Sequence, residues 1–229
     1  MSWQAYLPLI ARGAWMSVQL SLWSLSTAIM LGLVTAAAKL SGSRLAVSLA
    51  RIYTTLIRGV PDLVLMLLIF YGIQISLNGL TDDLHLQQVQ IDPFAAAILT
   101  LGFIYGAYFA ETFRGAFSAV DRGQREAATS VGMTAFQSFR LVTFPLMMRF
   151  ALPGVSNNWQ VLVKSTALVS ILGLSDVVKT SMDAGKGTYH VLEFMLLAAG
   201  LYLVWASLSG MALRELSRRY SMGVRSAEL

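Results

Sequence analysis

The side chains that carry covalent or redox chemistry in enzymes are sparse in this chain, and their spacing forms no catalytic group. The chain has no cysteine, which excludes disulfides, thiolate nucleophiles and cysteine-ligated metals. Its two histidines, His85 and His190, are far apart in sequence, so we expect no metal site built on them. We therefore predict no catalytic residue, no metal site and no cofactor.

One short segment, Gly185-Lys186-Gly187-Thr188, has a superficial likeness to a phosphate-binding loop. Such a loop needs a glycine five positions before its Gly-Lys pair and a Ser or Thr directly after the lysine, to reach magnesium. Thr180 and Gly187 occupy those two positions instead. Any ATP hydrolysis linked to this chain is therefore expected on another polypeptide.

A polar stripe interrupts an otherwise apolar segment. Asn157, Gln160 and Lys164 follow one another at i, i+3 and i+7, which places them on one face of a helix, with Ser165 and Thr166 beside it. A lysine at the centre of a bilayer costs about 2.5–3.5 kcal/mol, so it should face a polar cavity or a partner. We interpret these residues as lining a translocation path, a gate or a subunit seam. The alternative is that Lys164 only links helices structurally.

The composition places these residues in a membrane protein. Hydrophobic residues make up 56% of the 229 and charged residues 13%, against about 25% charged in soluble domains. The net charge is +5, but the basic residues alternate with apolar segments and form no single patch. We predict membrane lipid as a partner, and no nucleic acid.

Uncharged runs of membrane length predict an all-α integral membrane protein of one domain, residues 1–229, with five spans. We place the spans at about 14–38, 63–81, 93–110, 153–175 and 194–213. Gly102 and Gly106 in the third span are spaced for close helix packing.

Basic residues predict the orientation. Thirteen of the 17 follow the first, third and fifth spans. They are Lys39, Arg44, Arg51, Arg58, Arg114, Arg122, Arg125, Arg140, Arg149, Arg214, Arg218, Arg219 and Arg225. Because positive charge stays cytoplasmic, we predict an external N-terminus and a cytoplasmic C-terminus.

This topology makes 111–150 a long cytoplasmic loop, and its local pattern predicts two short helices. Glu126 to Val131 contains good helix formers, Gly132 can end a helix in the left-handed conformation, and Thr134 is a plausible N-cap for a helix with Phe136 and Phe139. We expect Arg125 and Glu126 to face water. The elbow is either a docking element for a soluble partner or an interfacial amphipathic helix without one.

Longer motifs now give a resemblance. The segment from Glu126 to Pro145 resembles the EAA loop of ABC importer permeases, which usually ends in Ile-x-Leu-Pro. It consists of Glu126-Ala127-Ala128, three residues, Gly132, nine residues, Val142, one residue and Phe144-Pro145. The flanks are similar to polar amino acid permeases, and most similar to those for histidine and basic amino acids such as lysine, arginine and ornithine. These flanks are Arg58-Gly59-Val60-Pro61, Ala107 to Gly115, Gly123-Gln124 and Leu162 to Leu168. Asp121 stands where the family commonly has proline.

The resemblance implies a type I ABC importer subunit in the bacterial inner membrane, not itself an enzyme. Its partners would be a homologous permease subunit (a heterodimer, with a homodimer as the alternative), two cytoplasmic ATPases and a periplasmic amino acid binding protein. The residues implied to contact the ATPase are Glu126, Ala127, Ala128, Gly132, Phe136 and Pro145.

Two questions stay open at this point. Glu111 and Arg114 flank the inner end of the third span, where they either form an ion pair at a gate or, as we favour, mark an interface. The rival function is a channel or secondary transporter without an ATPase. Such proteins often contain internal repeats or several intramembrane ionisable groups, whereas this chain has five predicted spans and one such lysine.

Overall fold

A computed structural model describes residues 3–88 and 90–221, and within them the secondary structure is helical, as predicted. A 3₁₀ turn precedes the first helix. The α-helices are α1 (Leu7–Leu40), α2 (Arg44–Gly59), α3 (Asp62–Asp83), α4 (Pro93–Ser118), α5 (Arg122–Ser130), α6 (Ala135–Ser138), α7 (Phe144–Ser165), α8 (Val177–Thr188) and α9 (Val191–Ser221). Arg225, counted above among the inner basic residues, lies outside the described residues.

Four of the helices in the described part of the chain are long and apolar enough to cross a membrane: α1, α3, α4 and α9. A fifth candidate is a bent pair, in which the helical stretch Ala135–Leu172 meets α8 at 54°. The predicted fourth span therefore has a different form. Pro153, predicted as its first residue, lies inside α7, and the chain turns at Gly173, whose φ is +89°.

The segment 111–150, predicted as a loop, is mostly helical. α4 continues to Ser118, α5 and α6 follow, and a π-helical turn at Phe139–Thr143 joins α6 directly to α7. An unbroken helical connection transmits displacement better than an irregular loop, because packed helices move as units.

Close packing of α1 against α4 forms the centre of the fold. A Cβ at Gly102 would lie 2.5 Å from the Thr27 side chain, and a Cβ at Gly106 would lie 3.0 Å from Leu31. Gly32 of α1 approaches Phe109 of α4 in the same way. The predicted role of the two α4 glycines in helix packing is confirmed. The residue numbers of these contacts increase together along both helices, so α1 and α4 run parallel.

Substituting Gly102 with Val should separate α1 from α4. The new side chain would overlap Thr27, and overpacking of this kind costs about 1–3 kcal/mol. We expect a lower unfolding temperature in detergent. Gly72→Val is the matched control, because nothing lies within 4 Å of a Cβ at Gly72. Equal melting temperatures for the two variants would contradict this packing.

The remaining helices surround this pair unevenly. α8 folds back against α1 and α9, and Gly13 allows the close approach to α1, since a Cβ there would lie 2.7 Å from the Asp176 carbonyl oxygen. By contrast, α3 buries few of its residues in the chain. A long apolar helix with so little intramolecular cover must face lipid or another subunit.

Candidate functional site

The first candidate site is the elbow, which we define as α5, the turn at Gly132 and α6. Asp121 caps α5 by accepting a hydrogen bond from the Gly123 N–H at 2.6 Å. At its other end, the Gly132 N–H donates to the Thr129 carbonyl and the Met133 N–H to the Ala128 carbonyl, at 3.0 and 3.1 Å. This is a Schellman cap, and Gly132 has the predicted left-handed φ of +80°.

The second half of the elbow begins with a reciprocal cap. The Thr134 side chain accepts from the Gln137 N–H, while the Gln137 side chain accepts from the Thr134 N–H, at 3.3 and 2.9 Å. The predicted N-cap is therefore confirmed. Pro145 lies in the first turn of α7, directly after the π-helical turn Phe139–Thr143.

The outer surface of the elbow is uncovered, and large apolar side chains are exposed among its polar ones. Phe136 is 69% exposed and Val131 73% exposed, and Phe139 and Leu141 are exposed beside them. Glu126 and Ala127 are exposed, whereas Ala128 and Ser138 are buried against the bundle. Contiguous exposed apolar residues of this kind mark interaction surfaces.

The prediction that Arg125 faces water is wrong in part. Arg125 is half-buried, and its guanidinium lies 5.6 Å from the centre of the Phe117 ring at the end of α4. Sequence periodicity gave no sign of this contact, since Phe117 belongs to the preceding helix. This cation–π contact links α5 to the end of α4.

The second candidate site is the polar stripe of α7. Asn157 and Lys164 are exposed, whereas Gln160 is half-buried with its side chain against Gly210 of α9. The opposite face is buried, with Trp159 packed edge-on against Trp205 at 6.1 Å. Within the described residues Lys164 forms no ion pair. An uncovered lysine on a bundle helix is available to a second subunit, a polar path or both.

Ser165 and Thr166 lie behind this stripe, inside the chain. The Ser165 and Tyr105 hydroxyls are 2.6 Å apart, and Tyr105 donates to the Asp62 carboxylate at 2.8 Å. Thr166 is fully buried; its hydroxyl donates to the Val163 carbonyl and lies 3.2 Å from that of Tyr202. The first set of contacts connects α7 to α3 and α4, and the second connects the end of α7 to α9, both next to Lys164.

Glu111 is the centre of an ion-pair cluster. Its carboxylate accepts from Arg114 at 2.9 Å and also pairs with Lys39, at the end of α1, which in turn contacts Thr54 of α2. The ion pair with Arg114 that we considered therefore exists, within this chain. Sequence analysis missed Lys39, although the parallel course of the first and third spans places both ends on one side.

Two sequence features without an assigned role have structural explanations. Gly185, from the segment that resembles a phosphate loop, lies where a Cβ would come within 2.7 Å of the Val191 backbone. It is therefore a packing glycine between α8 and the start of α9. The sequence did not identify Asp62 and Tyr105 as members of a polar network, because their hydrogen-bond partners are more than 40 residues away.

The fold and these sites define a multi-pass helical membrane protein with an exposed elbow. The family model described as "Binding-protein-dependent transport system inner membrane component" matches residues 28–220. The chain belongs to this family, and it is an inner-membrane permease.

Characterised relatives extend over almost the whole chain. The "Histidine/lysine/arginine/ornithine transport system permease protein HisQ" of Salmonella typhimurium is 56% identical over 220 residues, which cover 96% of each protein. The protein of the same name from Escherichia coli is 55% identical, with the same coverage. A solved structure described as an amino acid ABC transporter with histidines matches with a TM-score of 0.79 and 32% identity, covering 94% of this chain and 95% of that chain.

Proposed function

We propose that this chain is a membrane-spanning subunit of an ATP-driven importer of amino acids, with basic amino acids as the substrate class. The exposed elbow is the observation that carries this proposal. It combines hydrogen-bonded caps at the start of α5 and at the central turn, exposed apolar side chains and a helical connection into α7. Identity of 55–56% to permeases named for histidine, lysine, arginine and ornithine supports the substrate class.

The proposed topology has five spans, with the N-terminus outside and the C-terminus inside. The fourth span is the bent unit of α7 and α8, the fifth is α9, and the elbow lies on the cytoplasmic side. The distribution of basic residues supports this orientation, and Lys39, Arg114 and the basic end of α9 then share one membrane surface.

The proposed assembly contains two permease subunits, two cytoplasmic ATPases and a periplasmic binding protein. The poorly covered α3 and the uncovered stripe of α7 support pairing with a homologous permease, which we take to be a different polypeptide. ATP hydrolysis occurs on the ATPases, whose groove receives the elbow through Glu126, Ala127, Phe136 and neighbouring residues. Pro145 sets the start of the helix that carries the motion inward, and Ala128 and Gly132 hold the elbow in shape.

The proposed path for substrate follows the uncovered face of α7. Asn157, Gln160 and Lys164 line it, while Ser165 and Thr166 support it from behind through the tyrosine network. Lys164 would repel the cationic side chain of a basic amino acid. A role in gating, or in binding the carboxylate of the substrate, is therefore favoured over recognition of the substrate's side chain. Glu111 holds the inner end of the path closed by joining α1, α2 and α4.

Lys164→Met should lower uptake about tenfold with the complex intact, because a hydrogen bond to a charged group contributes about 1.5–3 kcal/mol. Met keeps the length and apolar stem of lysine and removes only the charge. The matched control is Lys179→Met, which removes an exposed lysine paired with Asp183. Radiolabelled uptake and co-purification are measured together. Normal uptake with normal assembly would remove Lys164 from the mechanism.

Energisation distinguishes the importer from a channel or secondary transporter. Uptake into cells should survive collapse of the membrane potential and stop when ATP is depleted. The converse result would contradict the proposal. A matched strain that lacks the chain gives the background rate.

A further inference from the structure

Two cavities lie one after the other along the seam between α1 and α4, and their linings differ in chemistry. The first, the apolar groove, has a volume of about 910 Å³ and is lined by α1, α3 and α4, with Leu31, Leu99 and Phe103 among its residues. The second, the basic cavity, has a volume of about 730 Å³ and is lined by α1, α2 and α4.

On both helices, the basic cavity lies further toward the C-terminal end than the apolar groove. On α1 the groove reaches Leu31 and the basic cavity includes Lys39; on α4 the groove reaches Phe103 and the basic cavity begins at Tyr108. At 1.5 Å per residue, these separations are about 12 Å and about 8 Å along the helix axes. A phospholipid acyl chain, which reaches about halfway through a hydrocarbon core of about 30 Å, is long enough to extend from the one to the inner end of the other.

The basic cavity carries an excess of positive charge. Lys39, Arg51, Arg58 and Arg114 line it, and Glu111 is the one carboxylate among its described lining residues, so its net charge is +3. Glu111 is already bound to Lys39 and Arg114. Within residues 3–88 and 90–221, Arg51 and Arg58 form no ion pair, and Arg58 lies 5.5 Å from the centre of the Tyr108 ring. The cavity is therefore suited to an anion.

The amphipathic pattern of α2 places the cavity at the membrane surface. Leu45, Leu49, Ile52 and Leu56 form one exposed apolar stripe with helical spacing, each at least 53% exposed. Arg51 is on another face, toward the cavity. A helix with one exposed leucine-rich face and one basic face is typical of the lipid–water interface. The basic cavity then lies at headgroup depth, with the apolar groove beneath it.

We infer that the two cavities together bind one anionic phospholipid of the inner leaflet. Its phosphate contacts Arg51 and Arg58 in the basic cavity, and an acyl chain enters the inner end of the apolar groove, at Leu31 and Phe103. A free inorganic anion would leave the groove unused, and the ammonium group of an amino acid would be repelled by the cavity's cations. The inference rests on the proposed inward position of this end of α1 and α4.

The test is native mass spectrometry of the purified full chain in detergent, titrated with phosphatidylglycerol or phosphatidylcholine. Wild type should retain one phosphatidylglycerol in preference to phosphatidylcholine. The double variant Arg51→Gln/Arg58→Gln should bind phosphatidylglycerol about thirtyfold more weakly. Each basic residue near an anionic headgroup contributes about 1 kcal/mol, which is about a fivefold change in affinity. Arg44→Gln is the control, because it removes a charge from α2 outside the cavity.

Each contrary result has a distinct meaning. Equal binding of both lipids, equal loss in the Arg44 control, or displacement by inorganic phosphate alone would overturn the phospholipid assignment. Leu99→Trp should fill the groove and weaken lipid binding; if it weakened only subunit pairing, the groove would belong to a permease partner and the acyl-chain assignment would be wrong. The assay contains no ATPase and no transported amino acid, so its failure would leave the transport proposal standing.

Discussion

Replacing Gly132 with Val should reduce uptake about tenfold while the membrane bundle stays folded. A non-glycine residue in the left-handed region costs about 1–2 kcal/mol, and a β-branched one more, so the native turn would be disfavoured about tenfold. Nothing lies within 4 Å of a Cβ at this position. The effect is therefore confined to the backbone that joins the two halves of the elbow.

The variant Gly132→Asn distinguishes the effect of the left-handed backbone conformation from the effect of removing glycine. Asparagine tolerates the left-handed region far better than valine, so this variant should keep most of the wild-type uptake. Uptake of a labelled amino acid and co-purification with the ATPase are measured for both variants. If the Gly132→Val variant supported full uptake in an intact complex, the turn would have no role in coupling.

The elbow was predictable because its determinants are local. Gly132 in the left-handed conformation and Thr134 as an N-cap depend on hydrogen bonds that span no more than five residues. The same holds for the glycines of α4, since spacing along one helix decides which residues share a face. In both cases the chemistry lies within a contiguous stretch of the chain.

The tertiary partners of polar residues were not predictable in this way. Lys39 and Glu111 are 72 residues apart, and Tyr105 joins Asp62 and Ser165 over 43 and 60 residues. Their contacts depend on which helices pack together, and span hydropathy does not specify this. The folding back of α8 onto α1 was missed for the same reason, although Gly13 makes that contact possible.

The grouping of Ser165 and Thr166 with Lys164 shows a different limit. Successive residues on an α-helix are rotated by about 100°, so neighbours in sequence seldom share a face. Lys164 is exposed while Ser165 and Thr166 are buried, as this rotation requires. Both hydroxyls are hydrogen-bonded inside the bundle, on a different face from Lys164, and their assignment to the path stays a prediction. Periodicity alone would have separated them.

Glu126→Lys should have an effect at least as large as that of Gly132→Val, through charge and not shape. Glu126 is exposed in the middle of α5, and lysine is as compatible with helix as glutamate, so the elbow itself should fold normally. A partner surface that accommodates a carboxylate would face an ammonium group, and like charges at an interface cost several kcal/mol. We expect uptake to fall by about thirtyfold or more, which corresponds to about 2 kcal/mol.

The matched control is Glu215→Lys, the same charge reversal on exposed Glu215 of α9, whose pairing with Arg219 is long at 3.8 Å. Surface pairs of this kind contribute little, so this variant should transport like wild type. Glu126→Gln should fall between the two, since it removes attraction without adding repulsion. The distinguishing measurement is the ratio of uptake to ATP hydrolysis in the reconstituted complex. Coupling through the elbow requires that ratio to fall for Glu126→Lys and to stay constant for Glu215→Lys. Equal ratios in an intact complex would mean that the ATPase acts on another surface.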